Sequence, residues 1–156
     1  MDGKIGLEEH FAIPETLSDS AGFLPDESWQ ELSKRLLDIH EGRLRQMDEH
    51  GMEMMLLSLN APAVQAIHET SKACEIATRA NDFLAEQVAK RPDRFQGLAA
   101  LPLQDPDRAT RELERCIKDL GFRGALVNGF SQVDRPDNVV YYDAPQFDSF
   151  WKTVQE

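Results

Sequence analysis

The run EMMLLSL at residues 53–59 constrains this chain most, because it is almost continuously apolar and stops at the polar-and-proline turn Asn60-Ala61-Pro62. Such a run suits a strand covered on both faces, as in a parallel sheet layered with helices. Segments of the same kind recur at 4–8, 95–101 and 124–128. Between them lie stretches with helical periodicity. Residues 29–50 carry a stripe of Trp29, Leu32, Leu36, Ile39, Leu44 and Met47 and stop at Gly51. Residues 71–90 align Ala73, Ile76, Ala77, Ala80, Leu84 and Val88, and RPDR at 91–94 breaks them. Asp105 and Pro106 form an N-cap and first-turn proline for a helix bearing Ala109, Leu113, Ile117 and Leu120, which ends at Gly121. Asp143 is expected to cap a last helix that holds Phe147, Phe150, Trp151 and Val154.

The order is thus β-α four times over, which implies right-handed parallel crossovers. An open doubly wound sheet and part of a (β/α)₈ barrel both satisfy it. In either, ligands gather at the C-terminal strand ends. Those ends carry EEH, SLNAP, LPLQDP and VNGF. The first strand lacks a glycine-rich phosphate loop, and four βα units make half of a barrel that typically needs ~250 residues. The expectation is one partial barrel domain over residues 1–156, interrupted before a fifth strand.

A net charge of −11 repels polyanions, so neither nucleic acid nor an anionic membrane is an expected partner. No 18-residue apolar run or signal-like leader occurs, and the expected location is cytoplasmic. Cys74 and Cys116 lie in separate helical segments and read as reduced thiols.

In a strand, Glu8 and His10 share a face and Glu9 takes the other, where a helix-layer cation or backbone donors would meet it. A carboxylate and an imidazole aimed at one point suit Zn²⁺ or Mn²⁺. His40, His50 and His68 read as structural. Asn128 ends the fourth apolar run and is either a substrate-binding amide or half of a turn-forming Asn-Gly pair. Phe23 sits in the polar loop SDSAGFLPDE, as a lid over a flat ring or as an anchor of its loop.

The segments GKIGLEEHFAIPETL, DSAGF, LSLNAPAVQAI, KRPDRF, ALPLQDPD, GFRGALVNGFSQ and YYDAPQF resemble the N-terminal half of the amidohydrolase-related, metal-dependent barrel decarboxylases that act on hydroxybenzoates. The resemblance implies the N-terminal half of a (β/α)₈ barrel with one divalent metal, Zn²⁺ or Mn²⁺, and no organic cofactor. It makes Glu8 and His10 metal ligands, Phe23 and Asn128 substrate contacts, and Ala61 a wall of the pocket. It implies that the remaining ligands and the general acid lie beyond residue 156. The implied reaction is reversible, non-oxidative loss of CO₂ from a hydroxybenzoate such as 2,6-dihydroxybenzoate, leaving a phenol, in a homotetramer.

Two other readings stay open. Related barrels are metal-dependent hydrolases of amides or esters, although these more often carry His-x-His where this chain has Glu8 and His10. The chain could also be a non-catalytic half-barrel, with two ligands awaiting partners.

Overall fold

The computed structural model describes residues 3–156. Four parallel strands form one sheet in the order β1-β2-β3-β4: β1 (Lys4–Phe11), β2 (Met52–Leu59), β3 (Phe95–Ala99) and β4 (Gly124–Ala125). Helices connect them: α1 (Asp26–Leu37) and α2 (Gly42–Glu49), then α3 (Thr70–Lys90), then α4 (Pro106–Lys118). The alternation expected from the apolar runs is therefore present, and the crossovers are parallel. α5 (Asp148–Gln155) closes the chain.

Three expectations need correction. The helix read over 29–50 is two helices, because the Asp38 carboxylate accepts the amide protons of Glu41 (2.9 Å) and Gly42 (2.7 Å) and starts a new helix there. This is the competition a short acidic side chain offers to a continuing helix. The stripe survives the break, since Leu36, Ile39 and Met47 are all buried. The fourth strand pairs over only two residues, and 130–141 fold instead as an antiparallel hairpin, β5 (Phe130–Val133) with β6 (Arg135–Tyr141). Asp134 turns it with φ 61°, a backbone state that Asp tolerates better than most residues. Asp143 is exposed and caps nothing. α5 instead follows a 3₁₀ turn at Pro145–Phe147 and has no side-chain cap.

The packed core lies between the sheet and α3–α4. Ala73, Ile76, Ala77, Ala80 and Leu84 bury one face of α3 as their spacing requires, with Val88 packed beside them. On α4 the buried line is Ala109, Glu112, Leu113 and Cys116, while Ile117 turns outward. Asp105 caps this helix, accepting the Arg108 amide at 3.0 Å. Gly97 matters because the Phe122 ring lies where its Cβ would stand, 2.6 Å away. Burial pushes the Cys116 thiol up to about 12, so it stays a protonated core group, and both cysteines are free.

A buried amide ties the strand end to the helices. Asn81 donates to Ala100 O and accepts from Ala100 N, both at 2.9 Å, and donates to Glu112 Oε1 at 2.7 Å. Glu112 is paired in turn with Arg115, which also reaches Asp82. Among the described residues no helix is long and apolar enough to cross a membrane.

Candidate active site

β1 is the outer strand of the sheet, and a cleft of about 710 Å³ runs along it toward α1, α2 and the 3₁₀ segment Leu17–Phe23. Glu8, Glu9, His10, Phe23 and Ala61 all line this cleft. The strand carries a bulge: Gly6 pairs with Met55 and Glu9 with Leu57, so β1 takes three steps where β2 takes two. Regular pairing is interrupted there, and Glu9 lines the cleft together with Glu8 and His10. Its side chain folds over Gly6, within 3.0 Å of where a Cβ on that glycine would be.

His10 is held on two sides. Its Nδ1 lies 3.0 Å from the Ser58 hydroxyl on β2, directly across the ladder. Its carbonyl accepts from Arg43 Nη2 at 2.6 Å, and the same guanidinium donates to Asp38 O and Arg35 O. Burial pushes the Arg43 guanidinium down from its ordinary value, opposed by the negative charges of Glu9 and Asp38. Arg43 is the cation that Glu9 faces, at electrostatic range rather than in a salt bridge.

Phe23 stands at the end of its 3₁₀ segment and is 71% exposed over the cleft. That segment is fastened to the end of β2 by buried polar groups. Asn60 Nδ2 donates to Thr16 O (3.0 Å) and Ser20 Oγ (2.8 Å), and Asn60 Oδ1 accepts from Thr16 Oγ1 (3.0 Å). The Ser20 hydroxyl donates to Ala61 O. Asn60 also bonds Phe11 O through its amide at 2.8 Å, so one residue ties the ends of β1 and β2 to the Phe23 segment. The Ala61–Pro62 peptide bond is cis.

Asn128 is not among the residues that line this cleft and packs against the loop after β2. Its Nδ2 donates to Pro62 O (2.7 Å) and Gln65 Oε1 (3.2 Å), while Gln65 Nε2 donates to Leu101 O (2.9 Å). Backbone carbonyls anchor both ends of this amide chain and fix its polarity, which leaves the Asn128 Oδ1 as the free end. The other histidines behave structurally. His40 stands edge-on to Phe95 with its Nε2 buried and unpartnered among the described residues, His50 caps α2, and His68 Nδ1 lies 3.1 Å from Asp134 O.

Sequence reading missed Ser58, Arg43, Asn60 and Gln65. Ser58 had a signal, a lone hydroxyl inside an apolar strand, and Asn60 was read only as a turn residue. A glutamate oxygen and a neutral imidazole nitrogen suit a borderline divalent cation. The engagement of Nδ1 leaves Nε2 of His10 as the available donor. Among the described residues no group of three or more His, Cys, Asp or Glu comes together, so the pair is part of a coordination sphere at most.

Residues 11–156 match the family model described as Amidohydrolase. The chain is 67% identical over 155 residues to γ-resorcylate decarboxylase of Polaromonas sp. strain JS666, covering 99% of this chain and 48% of that one. Among solved structures, a dihydroxybenzoic acid decarboxylase from Polaromonas sp. JS666 with bound manganese and the inhibitor 2-nitroresorcinol superposes with a TM-score of 0.96 at 67% identity, over 99% of this chain and 47% of that one. A 2,6-dihydroxybenzoate decarboxylase complexed with 2,6-dihydroxybenzoate gives 0.97 at 66% identity, over 99% and 48%. The chain spans about half the length of the relatives it matches.

Proposed function

The chain belongs to the amidohydrolase family, and we propose that it forms the N-terminal half of a metal-dependent (β/α)₈-barrel decarboxylase acting on a 2,6-dihydroxybenzoate-like acid. The observation that carries this reading is the gathering of Glu8, His10, Phe23 and Ala61 around one cleft, in a chain 66% identical to a decarboxylase structure holding 2,6-dihydroxybenzoate.

Glu8 and His10 would hold one divalent metal ion, Mn²⁺ or Zn²⁺, completed by ligands outside these residues. When bound, that ion supplies fixed positive charge for the substrate carboxylate and a neighbouring phenolic oxygen. Phe23 then covers the ring face and excludes water. Ala61, with its small side chain, leaves room for a flat ring. The free Oδ1 of Asn128 accepts a hydrogen bond from a ring hydroxyl, so a hydroxyl is favoured there over an ether. The carboxyl carbon departs as CO₂, and a proton from a general acid outside these residues takes its place on the ring. The phenol itself serves as electron sink, so no organic cofactor is required, and the reverse reaction carboxylates the phenol. The family resemblance extends the proposal to a cytoplasmic homotetramer. The 156 residues alone would be inactive.

The deciding assay follows CO₂ release from 2,6-dihydroxybenzoate by the full-length protein, beside ester and lactone hydrolysis. Metal-dependent CO₂ release, lost in Glu8→Ala and His10→Ala, is the expected result. Hydrolysis without decarboxylation would replace this assignment with a hydrolase.

A further inference from the structure

Ser58 is the lone hydroxyl among the apolar side chains of β2, and it is 1% exposed. A buried hydroxyl costs free energy unless it is hydrogen-bonded. Its Oγ has two neighbours among the described residues: Nδ1 of His10 at 3.0 Å and the Glu9 carbonyl at 3.4 Å. Cut off from solvent, its single proton goes to one of them. The Glu9 carbonyl can only accept, whereas the imidazole can donate or accept. A proton directed to Glu9 O turns the Ser58 lone pairs toward His10, and Nδ1 must then carry the ring proton.

We propose that Ser58 is a positioning residue that accepts the Nδ1–H of His10 and so holds the imidazole in the tautomer whose Nε2 lone pair is free for a metal ion. This rests on the metal site proposed above. A metal takes only an unprotonated imidazole nitrogen, and the hydrogen bond on the other nitrogen selects which one that is. The opposite polarity, Ser58 donating to Nδ1, would place the proton on Nε2 and block ligation. The main chain at His10 is already clamped by Arg43, so the ring torsion is the freedom left, and Ser58 removes it across the β1–β2 ladder.

The test has a metal-free arm and a metal arm. In the 156-residue chain labelled with ¹⁵N-histidine, long-range ¹H–¹⁵N correlation should show the neutral ring of His10 protonated at Nδ1. In Ser58→Ala it should show a mixture of tautomers, and Ser58→Thr, which keeps the hydroxyl, should restore the single form. In the full-length protein, Mn²⁺ affinity read by EPR should fall about 10- to 100-fold in Ser58→Ala and return to within a few-fold of the parent in Ser58→Thr. A His10 protonated at Nε2 in the parent chain overturns the proposal, as does a Ser58→Ala protein with unchanged tautomer or unchanged Mn²⁺ affinity. If Ser58→Ala does not fold, the parent tautomer and the Ser58→Thr protein decide. The metal-free arm is independent of the reaction, so loss of the decarboxylase assignment would leave the tautomer result standing.

Discussion

Around β3, Phe95, Leu84 and Leu101 are fully enclosed in a cluster shared with α3 and α4, whereas along β1 the side chains of Ile5 and Leu7 are 55% and 67% exposed. The difference is one of neighbours rather than of residue type. β2 and β3 have a strand on each side, and their helices pack back onto them. Among these residues β1 has a strand on one side only, and the cleft lined by Glu8 and His10 runs along it toward α1 and α2. The enclosed side chains gather around β3, and the cleft that Glu8 and His10 line runs along β1.

Substitutions on the two sides should therefore differ by several kcal/mol in equilibrium denaturation of this chain. Phe95→Ala removes a fully enclosed ring and should cost about 3–5 kcal/mol, shifting the denaturant midpoint strongly downward. A loss below about 1 kcal/mol would show that the β3 side is looser than its packing indicates. Asn81→Ala strands both backbone groups of Ala100 and removes one donor from Glu112, which keeps its pairing with Arg115, for an expected loss of about 2–3 kcal/mol. Asp105→Ala deletes the α4 cap and should cost about 1 kcal/mol, with hydrogen exchange rising first at the start of that helix. Leu7→Ser, on the open edge, should stay within about 0.5 kcal/mol of the parent. A large loss there would mean that β1 is covered in solution, and sedimentation velocity would show by what.

The same contrast explains what was legible in the sequence. The four strands and the helix faces of α3 follow from local periodicity, because residues that pack on one layer recur at fixed spacing. The 29–50 helix was misread because Leu36, Ile39 and Met47 keep helical spacing across a break that only Asp38, capping back onto Glu41 and Gly42, reveals. The 130–141 hairpin passed unread although VDRPDN is a turn-rich stretch between alternating residues. At the site, Glu8 and His10 could be picked out because a short motif sits near a strand end. Arg43 and Gln65 could not, since their partners lie 33 and 63 residues away and meet only through crossover geometry, and the lone hydroxyl of Ser58 gave no hint of His10, 48 residues away across the ladder.

The sheet order has a consequence for how the chain is made. Spatial order and sequence order coincide, β1-β2-β3-β4, so no strand waits for a later one to fill a gap between earlier strands. During synthesis each βα unit emerges beside an edge already laid down, and the growing edge is always the newest strand. Loop-closure cost is kept to one crossover at a time. The strand carrying Glu8 and His10 is then the first to be paired, before β3 and β4 are made.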